Sequence, residues 1–189
     1  DHATLIQALS SMAQQGLKPV LYLAGGGKQR LKRSMQALAR KLGVADQVQF
    51  LGHVQNLPAF LMQRQVCVLS THYEGLGLSL LEGMAAGCAC IASDVVGVRE
   101  AIDHERTGLL VPESDAIALA AALQRMLTHP TEAGAMAQAA RQQFGDAAAP
   151  AAAWLLRLEA LRYAPGGDNT AQGTSSSTHA TRALQALRR

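Results

Sequence analysis

Aromatic residues and cysteines are scarce in this chain. Of its 189 residues only 4% are aromatic, and there are three cysteines. Three cysteines are too few for a disulfide framework, which excludes a small domain held together by disulfides. Because Cys67, Cys88 and Cys90 all lie in apolar runs, we expect reduced, buried thiols and a reducing compartment.

Long hydrophobic runs and a strong net charge are also missing. No apolar run approaches the roughly 18 to 20 residues that cross a bilayer, and the amino end has no basic segment followed by an apolar core. The formal charge is only +3, so little favours a nucleic-acid partner. The sequence predicts a soluble, cytoplasmic protein. Because it begins at Asp1 and not at methionine, we expect a processed chain or a piece of a longer one.

Short apolar runs alternate with segments of helical period. Each run is almost continuously apolar, as is typical of a parallel strand covered by helices on both faces. This order predicts a doubly wound, Rossmann-like α/β fold with a parallel sheet. The predicted strands are residues 19–24, 48–52, 66–70, 89–93 and 108–111, and the helices between them are residues 4–15, 29–42, 57–64 and 78–86.

The composition changes after residue 111. Alanine-rich segments predict three consecutive helices, at residues 115–127, 132–144 and 147–163. We therefore expect one folded domain over residues 1–163. Residues 164–180 have almost nothing to bury and predict a disordered polar linker, and residues 181–189 form a basic tail that could be a short helix.

The first strand of the predicted sheet is missing. The chain starts inside a helical pattern, whereas a doubly wound sheet begins with a strand at its centre. That strand would belong upstream of Asp1. We expect strands 19–24 and 66–70 to flank an empty slot with unpaired backbone groups on both sides.

The segment richest in chemistry is the one that follows strand 66–70. Gly75 and Gly77 form a turn before a helix, and the free N–H groups of such a helix start suit a diphosphate. Glu74 lies on the turn and Glu82 on the helix, so both can border one cleft. A carboxylate can accept hydrogen bonds from both hydroxyls of a ribose. Two glutamates are also common on an exposed helix face, so the spacing alone leaves both interpretations open.

These residues carry a family resemblance. The stretch from Glu74 to Glu82, followed by residues 84–87 and 91–100, resembles the E-x7-E region of retaining GT-B glycosyltransferases, especially glycosyltransferase family 4. Residues 23–27, 48–52 and 107–111 extend the likeness. It covers about residues 4–163 and corresponds to the carboxyl-terminal, nucleotide-sugar-binding domain of that family.

The resemblance implies metal-independent transfer of a hexosyl group, with retention, from a nucleoside diphosphate sugar to a glycan, lipid or other acceptor. The implied donor is a UDP-sugar first and a GDP- or ADP-sugar second, with no separate cofactor. Glu74 is the implied catalytic residue and Glu82 the implied ribose ligand. The other implied donor-binding residues are Gly25, Gly27, Gly52, His53, Val54, Gly75, Leu76 and Gly77.

Two parts of the family pattern are absent. Its members place an arginine and a lysine after the first strand, and here that loop would lie upstream of Asp1. The amino-terminal acceptor-binding domain is also missing, and any peripheral contact with the inner face of a membrane would go through it. We therefore expect the chain to be inactive alone. A sugar-nucleotide 2-epimerase of the same fold and a non-catalytic interaction module remain the alternatives.

Several other residues are given ordinary interpretations. Lys28 and Arg30 are expected to be surface charges, and Glu100 to be explained by the dipole at the start of a helix. His72 could lie near the cleft but is expected to be solvated. The further expectations are core thiols at Cys88 and Cys90, and packing of Trp154 and Tyr163 against the sheet or a missing domain.

Overall fold

A computed structural model describes residues 1–143 of the protein. The strands are β1 (Leu21–Ala24), β2 (Val48–Gly52), β3 (Val66–Leu69), β4 (Ala89–Ser93) and β5 (Leu109–Val111). The helices are α1 (His2–Gln14), α2 (Gln29–Lys41), α3 (Leu57–Leu61), α4 (Leu78–Ala86), α5 (Val96–Arg99) and α6 (Ala116–Thr128). A last helix, α7, starts at residue 130 and continues to residue 143. No helix in this part of the chain is long and apolar enough to cross a membrane.

The elements follow the predicted order, with differences at their ends. The strand expected at residues 19–24 starts only at Leu21, and the helix expected at 57–64 ends at Leu61. Short helix α5 was not predicted, because four residues are too few for a helical period to be visible. The predicted helix 147–163, linker 164–180, tail 181–189, Trp154 and Tyr163 lie outside the described residues.

All strand pairs are parallel, which confirms the predicted kind of sheet. In one sheet β1 pairs with β2, and in the other β4 pairs with both β3 and β5. Leu21 is opposite Val48 in the first sheet, and Cys67 is opposite Cys90 in the second.

Helices cover both faces of these strands, so the doubly wound architecture is confirmed. In β4 the side chains of Ala89 and Ile91 join the apolar cluster that also contains residues of α1 and α6. Its alternate residues, Cys90 and Ala92, join a second cluster with residues of α4 and α5. The alternation follows from the two-residue period of a strand, and it explains why β4 is apolar along its whole length.

The sheet is interrupted between β1 and β3. Among the described residues no strand pairs with the second edge of either, so the expected slot is present. Helix α1 packs against both α2 and α6 and contributes to the clusters beneath both sheets. The slot therefore has a floor of helices and two parallel strands as its walls.

Candidate functional site

The slot is a cleft of about 830 Å³. Its walls are the free edges of β1 and β3, and leucines of α1 and α6 lie along one side of it. Residues of α3 and the start of α4 line the rest. Its lining includes Leu5, Leu9, Leu21, Leu23, Val66, Val68, Leu123 and Leu127, so the cleft is apolar along its length.

Four of the predicted site residues lie in the lining of this cleft. They are Gly25 after β1, His53 and Val54 after β2, and Glu82 on the second turn of α4. The two loops are joined because the Gly25 N–H donates a hydrogen bond of 2.7 Å to the carbonyl of Gly52. Both glycines have positive φ, 118° and 68°, which side chains rarely adopt.

The predicted turn at residues 74–77 lies outside the lining of this cleft, as do Gly27 and Gly52. The turn ends at Gly77, whose φ of 61° is left-handed. The N–H groups of Leu80 and Leu81 both donate to the carbonyl of Gly77, and within residues 1–143 no side chain caps the amino end of α4. The first N–H groups of the helix are therefore left open to a ligand.

Glu74 is held in place by a close backbone contact with α5. A Cβ added at Gly97 would lie 2.0 Å from the carbonyl oxygen of Glu74 and 2.7 Å from that of Gly75. Only glycine therefore lets α5 approach the turn this closely. Sequence reasoning did not single out Gly97 as a site residue. A glycine inside a helix is unfavourable, and that was the available signal.

The loop that carries Glu74 is also tied to β4. The Thr71 N–H donates to the hydroxyl of Ser93, which is buried at the end of β4, over 3.0 Å. The Thr71 hydroxyl donates to the carbonyl of Tyr73 over 2.8 Å. The loop that precedes Glu74 in the chain is thus fixed by β3, which it follows, and by the end of β4, to which it is hydrogen-bonded.

Arg64 is a cation of the cleft that the sequence analysis missed. Its guanidinium lies 4.8 Å from the ring centre of Tyr22 and 4.7 Å from that of Phe60. These three residues come from β1, α3 and the turn after it, and all line the cleft. Because the contact joins residues from separate elements, no local sequence pattern predicts it. It places a fixed positive charge between two aromatic faces.

The amino end of α1 lies at the carboxyl end of β3. The Asp1 amino group donates a hydrogen bond of 2.7 Å to the carbonyl of Ser70, and the Asp1 carboxylate caps α1 through the Thr4 N–H. His72 lies 3.5 Å from that carboxylate. His72 is largely exposed and is outside the residues that line the cleft.

Cys88 and Cys90 are core thiols, as expected, whereas Cys67 is less buried than expected. Burial raises the pKa of Cys88 to about 12. The hydrogen bond with the Cys67 thiol, together with burial, keeps the pKa of Cys90 well above its ordinary value. Both are buried, whereas Cys67 is half-buried and lines the cleft. In residues 1–143 no group of three or more His, Cys, Asp or Glu side chains could hold a metal ion.

Lys28, Arg30 and Glu100 are exposed residues at the ends of two helices. Lys28 and Arg30 are exposed around the start of α2, as expected. Glu100 follows the last residue of α5. The explanation of Glu100 by the dipole of a helix start is therefore wrong, because an acidic group is favoured only at the amino end of a helix.

Comparison with known proteins identifies a family. The family model for glycosyl transferases group 1 matches residues 1–143. Glycogen synthase of Mycobacterium tuberculosis is 36% identical to the chain over 140 residues, which cover 73% of the chain and 33% of that protein. The chain thus spans about a third of the length of the curated relatives it matches.

Solved structures show the same fold. Sucrose-phosphate synthase from Thermosynechococcus elongatus is 32% identical, with a TM-score of 0.69, over 84% of this chain and 43% of that one. Alr3699/HepE of Anabaena, solved in complex with UDP and glucose, has a TM-score of 0.68 at 23% identity, over 74% of this chain and 38% of that one. At 23% identity, the similarity to Alr3699/HepE shows a shared fold and nothing more.

Proposed function

We propose that this chain, which belongs to the glycosyl transferases group 1 family, is the nucleotide-sugar-binding half of a retaining glycosyltransferase. The observation that carries the proposal is the position of Glu82. Its carboxylate lies on α4 in the lining of the cleft that also contains Gly25, His53 and Val54. One acidic side chain beside two glycine-containing loops suits a ribose with its base and diphosphate on either side.

In this proposal the donor is a nucleoside diphosphate sugar, with UDP-sugars first. Glu82 accepts hydrogen bonds from both ribose hydroxyls, and the loop that carries Gly52, His53 and Val54 faces the base. Gly25 also contacts the donor, from the loop after β1. The N–H groups of Gly75, Leu76 and Gly77 face the sugar and diphosphate in this proposal. The left-handed Gly77 and the uncapped start of α4 support this orientation, because aligned N–H groups favour an anion. Gly27 would border the same ligand from the loop after β1.

Glu74 is proposed as the catalytic residue. Breaking the bond between the anomeric carbon and the diphosphate leaves positive charge on the sugar and negative charge on the phosphate. Fixed N–H donors act where the negative charge develops, and the Glu74 carboxylate would stabilise the positive sugar. The close contact of Gly97 with the Glu74 carbonyl supports this role, because it holds that residue in one position. The transfer is proposed to proceed with retention and without a metal.

The open slot supports a larger parent protein. A strand that ended just before Asp1 would have its carboxyl end beside Ser70, since the Asp1 amino group bonds to the Ser70 carbonyl. It would therefore run parallel to β1 and β3 and fill the apolar part of the cleft between these strands, leaving the part lined by Gly25, His53, Val54 and Glu82 to the donor. We propose that this strand, two cations after it and an amino-terminal acceptor-binding domain belong to the active enzyme. The chain by itself would then be inactive.

Calorimetric titration of UDP, GDP and ADP tests the donor site. The protein should be a longer form that supplies the missing strand and cations. We expect saturable binding, and we expect Glu82→Gln to weaken it about tenfold to a hundredfold, since hydrogen bonds to a charged group contribute about 1.5 to 3 kcal/mol. Glu113→Gln is the matched control, because Glu113 is exposed and outside the cleft.

Two outcomes would contradict the proposal. Absence of saturable binding by all three nucleotides would exclude a donor site and favour a non-catalytic interaction module. An equal effect of Glu82→Gln on nucleotide and free base would exclude the ribose contact. Product analysis with the longer protein then separates a glycosyl transfer from a 2-epimerisation of the sugar nucleotide.

A further inference from the structure

Charge is divided unevenly along the described part of the chain. Residues 2–45 contain seven lysines and arginines and no acidic residue. Residues 46–143 contain ten acidic and five basic residues. The small net charge of the whole chain hides this division into a cationic part, residues 2–45, and an anionic part, residues 46–143.

Helix α2 concentrates the positive charge on one face. At 3.6 residues per turn, Arg30, Arg33, Arg40 and Lys41 fall within a sector of about 120°. All four are exposed. The opposite side holds Ala39, which is buried in the apolar cluster shared with α1 and β2. Packing therefore fixes which way the helix faces and turns its cations outward.

These cations have no carboxylate partners among the described residues. The arginine ion pairs there join Arg99, Arg106 and Arg125 to acidic side chains of the anionic part. Lys32, which also belongs to α2, lies over the ring of Phe50. The outer face of α2 therefore presents charge that the described fold leaves unneutralised.

We propose that this face, defined by Arg30, Arg33, Arg40 and Lys41, docks on an anionic lipid bilayer. Basic side chains on one side of a helix are attracted by acidic headgroups. The four side chains include no aromatic ring that could stack on a base, so a bilayer is favoured over a nucleic acid. The anionic part of the domain would face away from the membrane.

Vesicle co-sedimentation of the 189-residue chain tests the docking. Vesicles of equal parts phosphatidylcholine and phosphatidylglycerol should bind the chain, and phosphatidylcholine alone should not. Added salt should weaken the binding, because it screens surface charge. Each basic residue at such a surface contributes about fivefold in affinity, so Arg33→Gln with Arg40→Gln should weaken binding about twenty-five-fold.

The matched control is Arg99→Gln with Arg106→Gln, which changes the net charge equally but on the anionic part of the domain. It should change binding by less than about twofold, and the basic carboxyl-terminal tail stays intact in both variants. Equal losses in the two variants, or equal binding to both vesicles, would overturn the proposal. Tighter binding of single-stranded RNA at the same ionic strength, lost in the α2 variant, would overturn it in favour of a nucleic acid. Circular dichroism shows whether each variant is folded.

Discussion

The two-stranded sheet and the three-stranded sheet differ in burial although their strands are similarly apolar. All five residues of β4 are buried, whereas none of the four residues of β1 is. β4 has a neighbouring strand on both edges, and one edge of β1 faces the cleft. The difference shows that an apolar strand is buried by its neighbours and not by its composition alone.

Glycines show the same contrast. At Gly16, Gly25, Gly26, Gly27, Gly43 and Gly52, around the two-stranded sheet, an added Cβ would meet nothing within 4 Å. At Gly83, Gly97 and Gly108 it would come within 2.6 Å of a neighbouring atom or closer. The surroundings of Gly83, Gly97 and Gly108 are therefore closely packed, whereas the turns around the two-stranded sheet, and Gly75 after β3, have open space beside them.

Filling the slot with a strand should change the stability of the protein more than any other test of this contrast. Extending the chain upstream of Asp1 by an apolar strand should raise the free energy of unfolding by on the order of 5 kcal/mol, because two strand edges gain hydrogen bonds. Urea unfolding measures the gain, and hydrogen exchange should slow most in β1 and β3. A glycine-serine extension of equal length is the control. Equal stability of the two extended chains would contradict the proposed strand.

Removing buried side chains should have the next largest effect, and the loss in the free energy of unfolding should differ between the two sheets. Ile91→Ala in β4 should lower the free energy of unfolding by about 2 to 5 kcal/mol, since Ile91 is fully buried. Leu23→Ala in β1 should cost less, because Leu23 is half-buried beside the cleft. Urea unfolding compares the two variants. A cost at Leu23 equal to that at Ile91 would show that the cleft is closed in solution.

Glycine substitutions test the packing contrast directly. Gly97→Ala should cost about 1 to 3 kcal/mol, because its Cβ would overlap the carbonyl of Glu74. It should also weaken donor binding by displacing the turn. Gly27→Ala, in open space and without a positive φ, should leave unfolding unchanged. Thermal unfolding and nucleotide titration measure both effects, and a tolerated Gly97→Ala would remove the argument that α5 positions Glu74.

The smallest expected effect is the contribution of a surface ion pair to the pH dependence of stability. The hydrogen bond from Arg99 lowers the pKa of Asp94. A lowered carboxyl pKa stabilises the fold above the unfolded value of about 3.9 and loses that effect as pH falls through the folded value. Arg99→Gln should therefore lower the urea midpoint slightly at neutral pH and not in acid. Arg30→Gln, without a carboxylate partner among the described residues, should show no such pH dependence.

Much of the fold could be predicted from the sequence. Strand β4 and helices α2 and α4 follow from local periods of two and 3.6 residues, and those periods need no knowledge of neighbours. The slot could also be predicted, because a doubly wound order that begins with a helix lacks a central strand. Helix α5 and the end of α3 were missed, because short elements carry no period and depend on their contacts.

The candidate site could likewise be predicted from the sequence only in part. Glu74, Gly77 and Glu82 stand out through their spacing and a family resemblance, and the structure puts Glu82 in the cleft with His53. The stacking of Arg64 on Tyr22 and Phe60 could not be read from the chain, since it joins residues from separate elements. The same holds for the contact between Gly97 and the Glu74 carbonyl.

The sequence by itself determined the order of strands and helices, the parallel sheet and the positions of the two glutamates. These are properties of neighbouring residues, and local spacing is enough to specify them. Only the tertiary structure decided which strands stay half-buried, which glycines are needed for packing and where the cations of α2 face. Those features depend on residues that are far apart in the chain and meet only when the helices pack against both faces of the strands.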